Sequence, residues 1–240
     1  YRAGGASSRT ANYQQFDPED VKSYELGMKG AFLDRTLFAN IAVYKSKYKN
    51  QQVTVQVPSL AGGVASFVDN AGRGDIWGAE VELRAVPSPY FSMNAAVGYT
   101  NADYKEFLTF IGGGTTPVDV ADQREFQNTP EFTASASATM SADFMGGLLS
   151  FTPAVSMRSD AYMFEIPTPA LDPDGYFLVD ASANWISPDD KFKLSVALRN
   201  LTDEKYRVGG YNFPGALFGN SIIGYYGPPR TATFSVEYRF

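Results

Sequence analysis

The sequence has no cysteine and no histidine. Without cysteine there are no disulfides and no thiol nucleophile, and the redox compartment cannot be read from pairing. Without histidine the usual general base is missing, together with the Ser-His-Asp arrangement and the commonest ligand of zinc, copper and haem. Most hydrolase and metalloenzyme classes are thereby disfavoured, and neither catalytic residues nor a metal or cofactor site is expected. Basic charge is scarce as well: 20 Lys and Arg against 26 Asp and Glu leave a formal charge of −6, which is no electrostatic footprint for nucleic acid. There is no run of about 18 apolar residues that could cross a bilayer as a helix. The start at Tyr1, without methionine or a signal peptide, reads as a piece of something longer.

What is present is alternation. The chain closes on Thr231-Ala-Thr-Phe-Ser-Val-Glu-Tyr-Arg-Phe240, with Ala232, Phe234, Val236, Tyr238 and Phe240 on one face and Thr231, Thr233, Ser235, Glu237 and Arg239 on the other. Period two with charge on the polar face marks a half-buried strand. An apolar face that runs through aromatics to the last residue is how a lipid-facing barrel strand reads. Such alternation dilutes the apolar residues of each strand with polar ones, so a membrane-crossing strand shows no long hydrophobic run.

The pattern recurs upstream. Phe132, Ala134, Ala136, Ala138 and Met140 oppose Thr133, Ser135, Ser137, Thr139 and Ser141. Similar runs begin at Tyr24, Leu37, Trp77, Phe91, Leu149, Phe177 and Phe192, which predicts nine strands in all. Pro153 interrupts one of them and is expected at a bulge. Gly78, on a polar face between Trp77 and Ala79, marks a bulge, the preferred reading, or a close approach of a neighbouring segment.

Connections alternate between short and long. They are tight near Phe32–Arg35, Val86–Pro89, Ala142–Gly147 and Ser187–Asp190, and long over Lys49–Asp75, Glu106–Thr129, Ser159–Gly175 and Thr202–Arg230. In an up-and-down antiparallel sheet alternate connections lie at the same end, and outer-membrane barrels combine short periplasmic turns with long extracellular loops. The parity places Phe240 at the periplasmic end. A soluble β-sandwich or lipocalin-like barrel is the plain alternative. Against it stand the charged polar faces, the mixture of Ala with bulky aromatics on the apolar ones, and loops beyond the roughly 12 to 15 residues usual in compact domains. The fold class read from the sequence is therefore all-β: an antiparallel up-and-down transmembrane barrel, present only in part.

Particular motifs carry a family resemblance. Pro18-Glu-Asp-Val-Lys-Ser-Tyr-Glu-Leu-Gly-Met-Lys-Gly30, Gln51-Gln52-Val53, Asn70-Ala-Gly with Gly78-Ala-Glu-Val-Glu82, Arg199-Asn-Leu-Thr-Asp-Glu-Lys-Tyr206, Tyr225-Tyr-Gly-Pro-Pro-Arg-Thr231 and the terminal Phe240 together resemble the second half of a TonB-dependent outer-membrane receptor barrel. The resemblance implies that residues 1–240 are the C-terminal portion of a 22-stranded barrel whose N-terminal plug and early strands lie elsewhere, with 1–20 an extracellular loop segment. It implies a bacterial outer-membrane location, contact with outer-membrane lipid, coupling to the TonB complex through the plug, and Phe240 as a signal to the barrel assembly machinery. It also implies active import of an extracellular ligand, foremost a ferric siderophore, and no enzymatic activity.

The loop chemistry offers contacts for such a ligand. Tyr13, Phe16, Phe110, Tyr162, Phe164, Tyr211 and Phe213 could stack on a flat or hydrophobic molecule, and Arg124 could take an anionic group. Packing within the loops is the competing use of each aromatic, Phe107 and Phe126 included. A passive porin, with Ile111-Gly-Gly-Gly-Thr-Thr116 folded inward as a constriction, and an outer-membrane enzyme are the other functional readings. Inward-facing Glu25, Glu80, Glu82 and Glu237 are nearly balanced by Lys29, Arg84, Lys193, Arg199 and Arg239, which fits paired charges against a plug better than a carboxylate pair for catalysis.

Overall fold

A computed structural model describes residues 1–6, 15–58, 64–109, 116–213 and 219–240, with side chains for all of these except 54–58, 64–67 and 71. The strands are β1 (Gly5–Ala6), β2 (Gln15–Phe16), β3 (Asp20–Phe32), β4 (Leu37–Pro58), β5 (Val64–Ser88), β6 (Phe91–Thr109), β7 (Val118–Asp119), β8 (Phe132–Phe144), β9 (Gly147–Arg158), β10 (Tyr176–Ile186), β11 (Phe192–Arg199), β12 (Arg207–Phe213), β13 (Ser221–Tyr226) and β14 (Thr231–Tyr238). One sheet runs β14-β11-β10-β9-β8-β6-β5-β4-β3, with β7 added beside β6. Those nine strands are the nine read from the alternation, every neighbouring pair is antiparallel, and the edges β3 and β14 are not paired with each other.

The sheet has no oily interior. Leu26, Ile41, Val43, Val97, Phe132, Phe151, Phe177, Leu194, Phe234 and Val236 are all more than a third exposed. Among the described residues the buried apolar side chains are Ala39, Phe107, Val120, Ala161, Met163 and Leu171. A soluble sandwich would bury one face of every strand against a second layer. Here the apolar face is the naked one, which suits hydrocarbon and nothing else.

Aromatic rows bound this face. Towards the long loops Trp77, Tyr99 and Phe132 touch in sequence across three strands, with ring centroids 5.1 and 4.9 Å apart. Towards the tight turns Phe192, Tyr238 and Phe240 form a second row at 4.8 and 5.2 Å. Trp185 stands at the same end and its indole N–H donates to the Phe144 carbonyl at 2.9 Å, so the ring meets lipid with its polar atom satisfied. On β6 the span from Phe91 to Tyr99 is about nine residues, the length a tilted strand needs to cross a bilayer.

The other face is polar and self-paired. Asn40 donates to Glu82 at 3.0 Å, Ser195 donates to Asn184 at 2.8 Å, and the Thr139 and Thr152 hydroxyls lie 2.9 Å apart. Lys29, Asn40, Glu82, Arg84 and Asp180 line a hollow of about 870 Å³ on this side.

Two sequence expectations are corrected here. Gly78 is not at a bulge: it pairs in unbroken register with Tyr44 on one side and Thr100 on the other. It is a close approach, since a Cβ there would stand 2.5 Å from the Tyr44 hydroxyl and 2.3 Å from the Tyr99 carbonyl oxygen. The missing side chain lets Tyr44 lie across the glycine and reach the Thr100 hydroxyl at 2.9 Å, tying three strands together. Pro153 is not at a bulge either. Ser137 pairs with Ala154 and Met140 with Phe151, one constant register, and the ladder only lapses between them, where proline has no N–H to give. The Thr139–Thr152 hydroxyl contact lies in that lapse.

The long connections hold more strand than alternation predicts. β4 and β5 continue far past the Trp77 row as a paired hairpin, with register shifts at Tyr48–Gln52 in their own ladder and at Arg73–Gly74 in the ladder of β5 with β6. The segment expected as loop over 202–230 contains the β12–β13 hairpin. Residues 1–6 pair with 15–20 through β1, β2 and an Arg2–Glu19 bridge.

Candidate functional site

The loops at the long-connection end are folded against one another. Gln52, nearly buried, donates from its side chain to the carbonyls of Ala3 and Asp17 at 2.9 and 3.1 Å, and its own N–H meets the Glu19 carboxylate at 2.9 Å. Asn70 donates to the Asp17 and Asn50 carbonyls at 2.9 and 2.8 Å. These two amides from the Gln51-Gln52-Val53 and Asn70-Ala-Gly motifs clasp the N-terminal segment onto the β4–β5 hairpin.

A small core lies beside the clasp. Phe107 and Val120 are buried with Val53, Tyr104 and Ala121 packed around them. Phe126 stacks on Tyr104 at 4.2 Å, and the Arg124 guanidinium lies 5.3 Å above the Phe107 ring. Burial, reinforced by Glu165, pushes the Tyr104 phenol up to about 12, so it stays neutral and adds no charge to the core. Asp119 closes the connection: its carboxylate accepts the Phe107 N–H at 2.9 Å and the Ala121 N–H at 3.1 Å, and these two bonds hold its carboxyl below the ordinary range.

That depression has a sign. A carboxyl whose folded pKa is depressed contributes its stabilisation above the unfolded value, and loses it as pH falls through the folded one. Acidification below the usual Asp range is therefore expected to loosen the packing of Phe107 against Val120 before the strands respond. Hydrogen exchange at the Phe107 and Ala121 amides should speed up, and Asp119→Ala should reproduce the effect at neutral pH.

The segment 159–175 packs next to this core. Asp172 accepts the Met163 and Thr168 N–H groups at 3.0 and 2.7 Å, which coils the segment around buried Ala161, Met163 and Leu171. Glu125 and Asn128 donate backbone N–H groups to the carbonyls of Glu165 and Tyr162 at 2.9 and 2.8 Å. Arg207 pairs with Asp174 at 3.1 Å and donates to the Ala170 carbonyl, pinning β12 to the same segment. Gly210 admits Leu171 beneath the hairpin, where a Cβ would stand 2.6 Å from a Leu171 methyl.

The opposite face of that hairpin is open. Tyr211, with Phe213 at 5.8 Å and Tyr225 at 5.9 Å, forms an aromatic strip; Tyr211 is 54% exposed and Tyr225 50%. Of the residues singled out from the sequence, the structure thus brings Tyr211 and Phe213 together. Tyr162 is exposed and Phe164 half-buried in the 159–175 segment. Phe16 rests on Gly5, and Arg124 is engaged over Phe107. Phe107 and Phe126 are packing residues. Tyr13, Phe110 and the glycine-rich run 111–115 lie outside the described residues.

Two features went unread in the sequence. Tyr225, noted only within a motif, completes the strip because the hairpin register sets it beside Tyr211. The second is a column on the polar face: Arg158 lies 5.7 Å over Tyr176, which stacks on Tyr206 at 4.4 Å. The Nε and Nη2 atoms of Arg158 are buried without a hydrogen-bond partner, beside a hollow of about 330 Å³ that also borders Gly98, Thr133 and Ser156. Two buried guanidinium N–H-bearing atoms without an acceptor suit a hydrogen-bond acceptor there. Below the column, Asn200 fixes the corner from β11 into the last connection. Its amide donates to the Glu204 and Pro228 carbonyls at 2.9 and 3.1 Å and accepts the Glu204 N–H at 2.8 Å, from a left-handed backbone with φ of 52°.

Comparisons with known proteins agree with this geometry. Residues 1–201 match the family model described as TonB dependent receptor-like, beta-barrel. The chain is 28% identical over 227 residues to the ferric-pyoverdine 358 receptor of Pseudomonas putida, covering 93% of this chain and 24% of that protein. It is 24% identical over 211 residues to a probable TonB-dependent siderophore receptor, PiuA, of Acinetobacter baumannii, covering 86% and 26%. Among solved structures, the ferric yersiniabactin uptake receptor FyuA of Yersinia pestis superposes with a TM-score of 0.72 at 21% identity, over 95% of this chain and 31% of that one. The chain spans about a quarter of the length of the curated relatives it matches.

Proposed function

Because the chain belongs to the TonB-dependent receptor-like β-barrel family, we propose that it is the C-terminal part of the barrel wall of a bacterial outer-membrane receptor that imports a ferric siderophore with energy delivered through TonB. The observation that carries this reading is the sheet itself: an apolar face left bare between two aromatic rows, with all its long, folded connections at one end. The relatives named as pyoverdine, yersiniabactin and other siderophore receptors supply the substrate class. On this reading the energy reaches the barrel through a plug that meets TonB.

On this reading the loop end is extracellular. Ligand contacts fall to exposed Tyr162 and Tyr211, with Phe164 and Phe213 behind them, while Phe16 and Arg124 shape the loops that present them. Tyr13 and Phe110 are carried as further contacts. Phe240, fully exposed at the opposite end beside Tyr238, is the element offered to the barrel assembly machinery.

The decisive experiment uses the full-length gene. A strain lacking its own siderophore receptors should gain siderophore-dependent growth on iron-poor medium when it carries the gene, and lose that gain when TonB is deleted. Uptake that persists without TonB would overturn active transport in favour of a passive channel. Replacing Tyr211 and Phe213 together by alanine should weaken binding by roughly 1–3 kcal/mol, about 5- to 150-fold, without changing the amount of receptor in the membrane.

A further inference from the structure

One extra residue decides where Arg207 points. Period two along β12 sets Gly209, Tyr211 and Phe213 on one face and by itself would put Arg207 with them. The register with β13 shifts, however: Arg207 pairs with Tyr226 and Gly209 with Tyr225, which leaves Val208 as a bulged residue, 53% exposed. A bulge of this kind re-aims a side chain. Opposed residues share a face, so Arg207 stands with Tyr226, Gly210 and Gly224, away from the aromatic strip.

That face holds a seat for one side chain. Gly210 and Gly224 are directly opposed, so both strands lack a side chain at the same place. Leu171, 1% exposed, fills it: a Cβ would stand 2.6 Å from a Leu171 methyl at Gly210 and 3.8 Å from it at Gly224. Arg207 grips the chain on either side of Leu171, donating from one nitrogen to the Ala170 carbonyl and from another to the Asp174 carboxylate at 3.1 Å. A lysine, with one nitrogen, could not hold both. Residues of this chain alone bury Leu171, so the seat is complete whatever packs around it.

From Leu171 the bonding runs on to the candidate ligand contacts. Leu171 and Asp172 both donate N–H groups to the Thr168 carbonyl, at 2.7 and 2.8 Å, and the Asp172 carboxylate accepts the N–H of Met163 at 3.0 Å. Met163 is buried and lies between Tyr162 and Phe164 in the chain. On the other side of the joint Tyr211 follows Gly210 directly. A displacement of Leu171 is therefore felt by both sets of aromatics.

We propose that Leu171 and Arg207 are positioning residues that lock the β12–β13 hairpin and the 159–175 segment into one rigid body, fixing Tyr162 and Phe164 relative to Tyr211 and Phe213. The value of this joint to import rests on those aromatics being ligand contacts; its existence does not. A preset surface gives up less conformational freedom on binding than two independent loops would.

The test uses the full-length receptor in nanodiscs, spin-labelled at Ile166→Cys and Ile223→Cys, both exposed positions. This stretch has no cysteine of its own, and any elsewhere in the receptor is replaced by serine. Pulsed electron resonance should give one narrow interlabel distance distribution. Leu171→Ala should widen it at least about twofold by freeing the joint, and the volume-conserving Leu171→Met should restore most of the narrow form. Arg207→Gln should widen it too, while Val118→Ala, an exposed change elsewhere in the loops, should not. Distributions that stay narrow in Leu171→Ala and Arg207→Gln would overturn the joint, and if Leu171→Ala does not reach the membrane, Arg207→Gln decides alone.

Ferric pyoverdine is the second probe. Leu171→Ala should weaken its binding about tenfold, yet cost nothing further once Tyr211 and Phe213 are alanine, the signature of one residue acting through others. A full additional loss in that background would rule out the positioning role. No binding by the unsubstituted receptor would bear on the imported ligand alone, and the interlabel distances would still decide the joint.

Discussion

Replacing Asn200 by alanine is expected to cost about 3–5 kcal/mol, enough to deplete the folded receptor from the membrane. The side chain is buried and serves three backbone groups, the Glu204 N–H, the Glu204 carbonyl and the Pro228 carbonyl. Each group orphaned away from water costs about 1–3 kcal/mol. Alanine must also adopt the positive φ that asparagine tolerates. The corner is doubly stitched, because Asp203 accepts the Arg230 N–H at 2.9 Å and the Asn200 N–H reaches Asp180 at 2.8 Å, so the loss transmits to both β10 and β14. Graded substitutions separate the causes. Aspartate keeps the acceptor for Glu204 and should be the mildest, whereas glycine keeps only the backbone freedom and should approach alanine. The proportion of receptor migrating in its folded, heat-modifiable form, and the urea midpoint in lipid, are the readouts. An alanine variant with wild-type values on both would show that the corner is dispensable.

The second large effect is an asymmetry between neighbours. Ala136 faces outward halfway between Phe132 and Met140 on β8, and Ser137, the next residue, faces the polar hollow. Arginine at Ala136 should cost about 2–4 kcal/mol of folding into lipid, the penalty for a cation near the hydrocarbon midplane. Arginine at Ser137 should cost less than about 1 kcal/mol. Equal costs, measured as urea-dependent insertion into vesicles, would mean that both faces see the same solvent and that the wall does not face lipid. The pair of variants differs by one position, so composition and loop structure cannot account for the outcome.

Why the wall is legible in the sequence, and the loops less so, has one physical reason. Period two is written only where the two faces of a strand meet different solvents. Between the aromatic rows one face meets hydrocarbon and the other a polar interior, and every strand from β3 to β14 on the main sheet declares itself. Past Trp77 the described part of the β4–β5 hairpin packs against the N-terminal segment and the Phe107 core instead of separating two solvents, and the register shifts at Tyr48–Gln52 and Arg73–Gly74 disturb what alternation remains. The strands continue there while the signal stops. Gly78 and Pro153 mislead because a single residue cannot say what lies across the ladder. Only the register reveals that Tyr44 covers the one and that the lapse beside the other leaves the strands in step.

The candidate site is harder to read for a related reason. Phe107 and Tyr211 are both loop aromatics in sequence, yet one is 3% exposed and the other 54%. What separates them is Leu171 and the Gly210 gap that turn the hairpin so that Tyr211 points away from the neighbouring segment. Arg158 and Tyr176 meet only because β9 and β10 pair them directly. No local motif encodes such a meeting.

Of the six buried apolar residues among those described, only Ala39 belongs to the membrane-crossing part of the sheet. Phe107, Val120, Ala161, Met163 and Leu171 all sit in the loop assembly. The molecule therefore answers to two separate rules of mutational tolerance. The cap must keep a packed interior in the ordinary manner of a small water-soluble domain, and a methyl group added or lost there will be felt. The wall needs only greasy side chains of any shape on its outward positions. Evolution, or a protein engineer, can thus rework the surface that meets the outside world without renegotiating how the wall enters the bilayer.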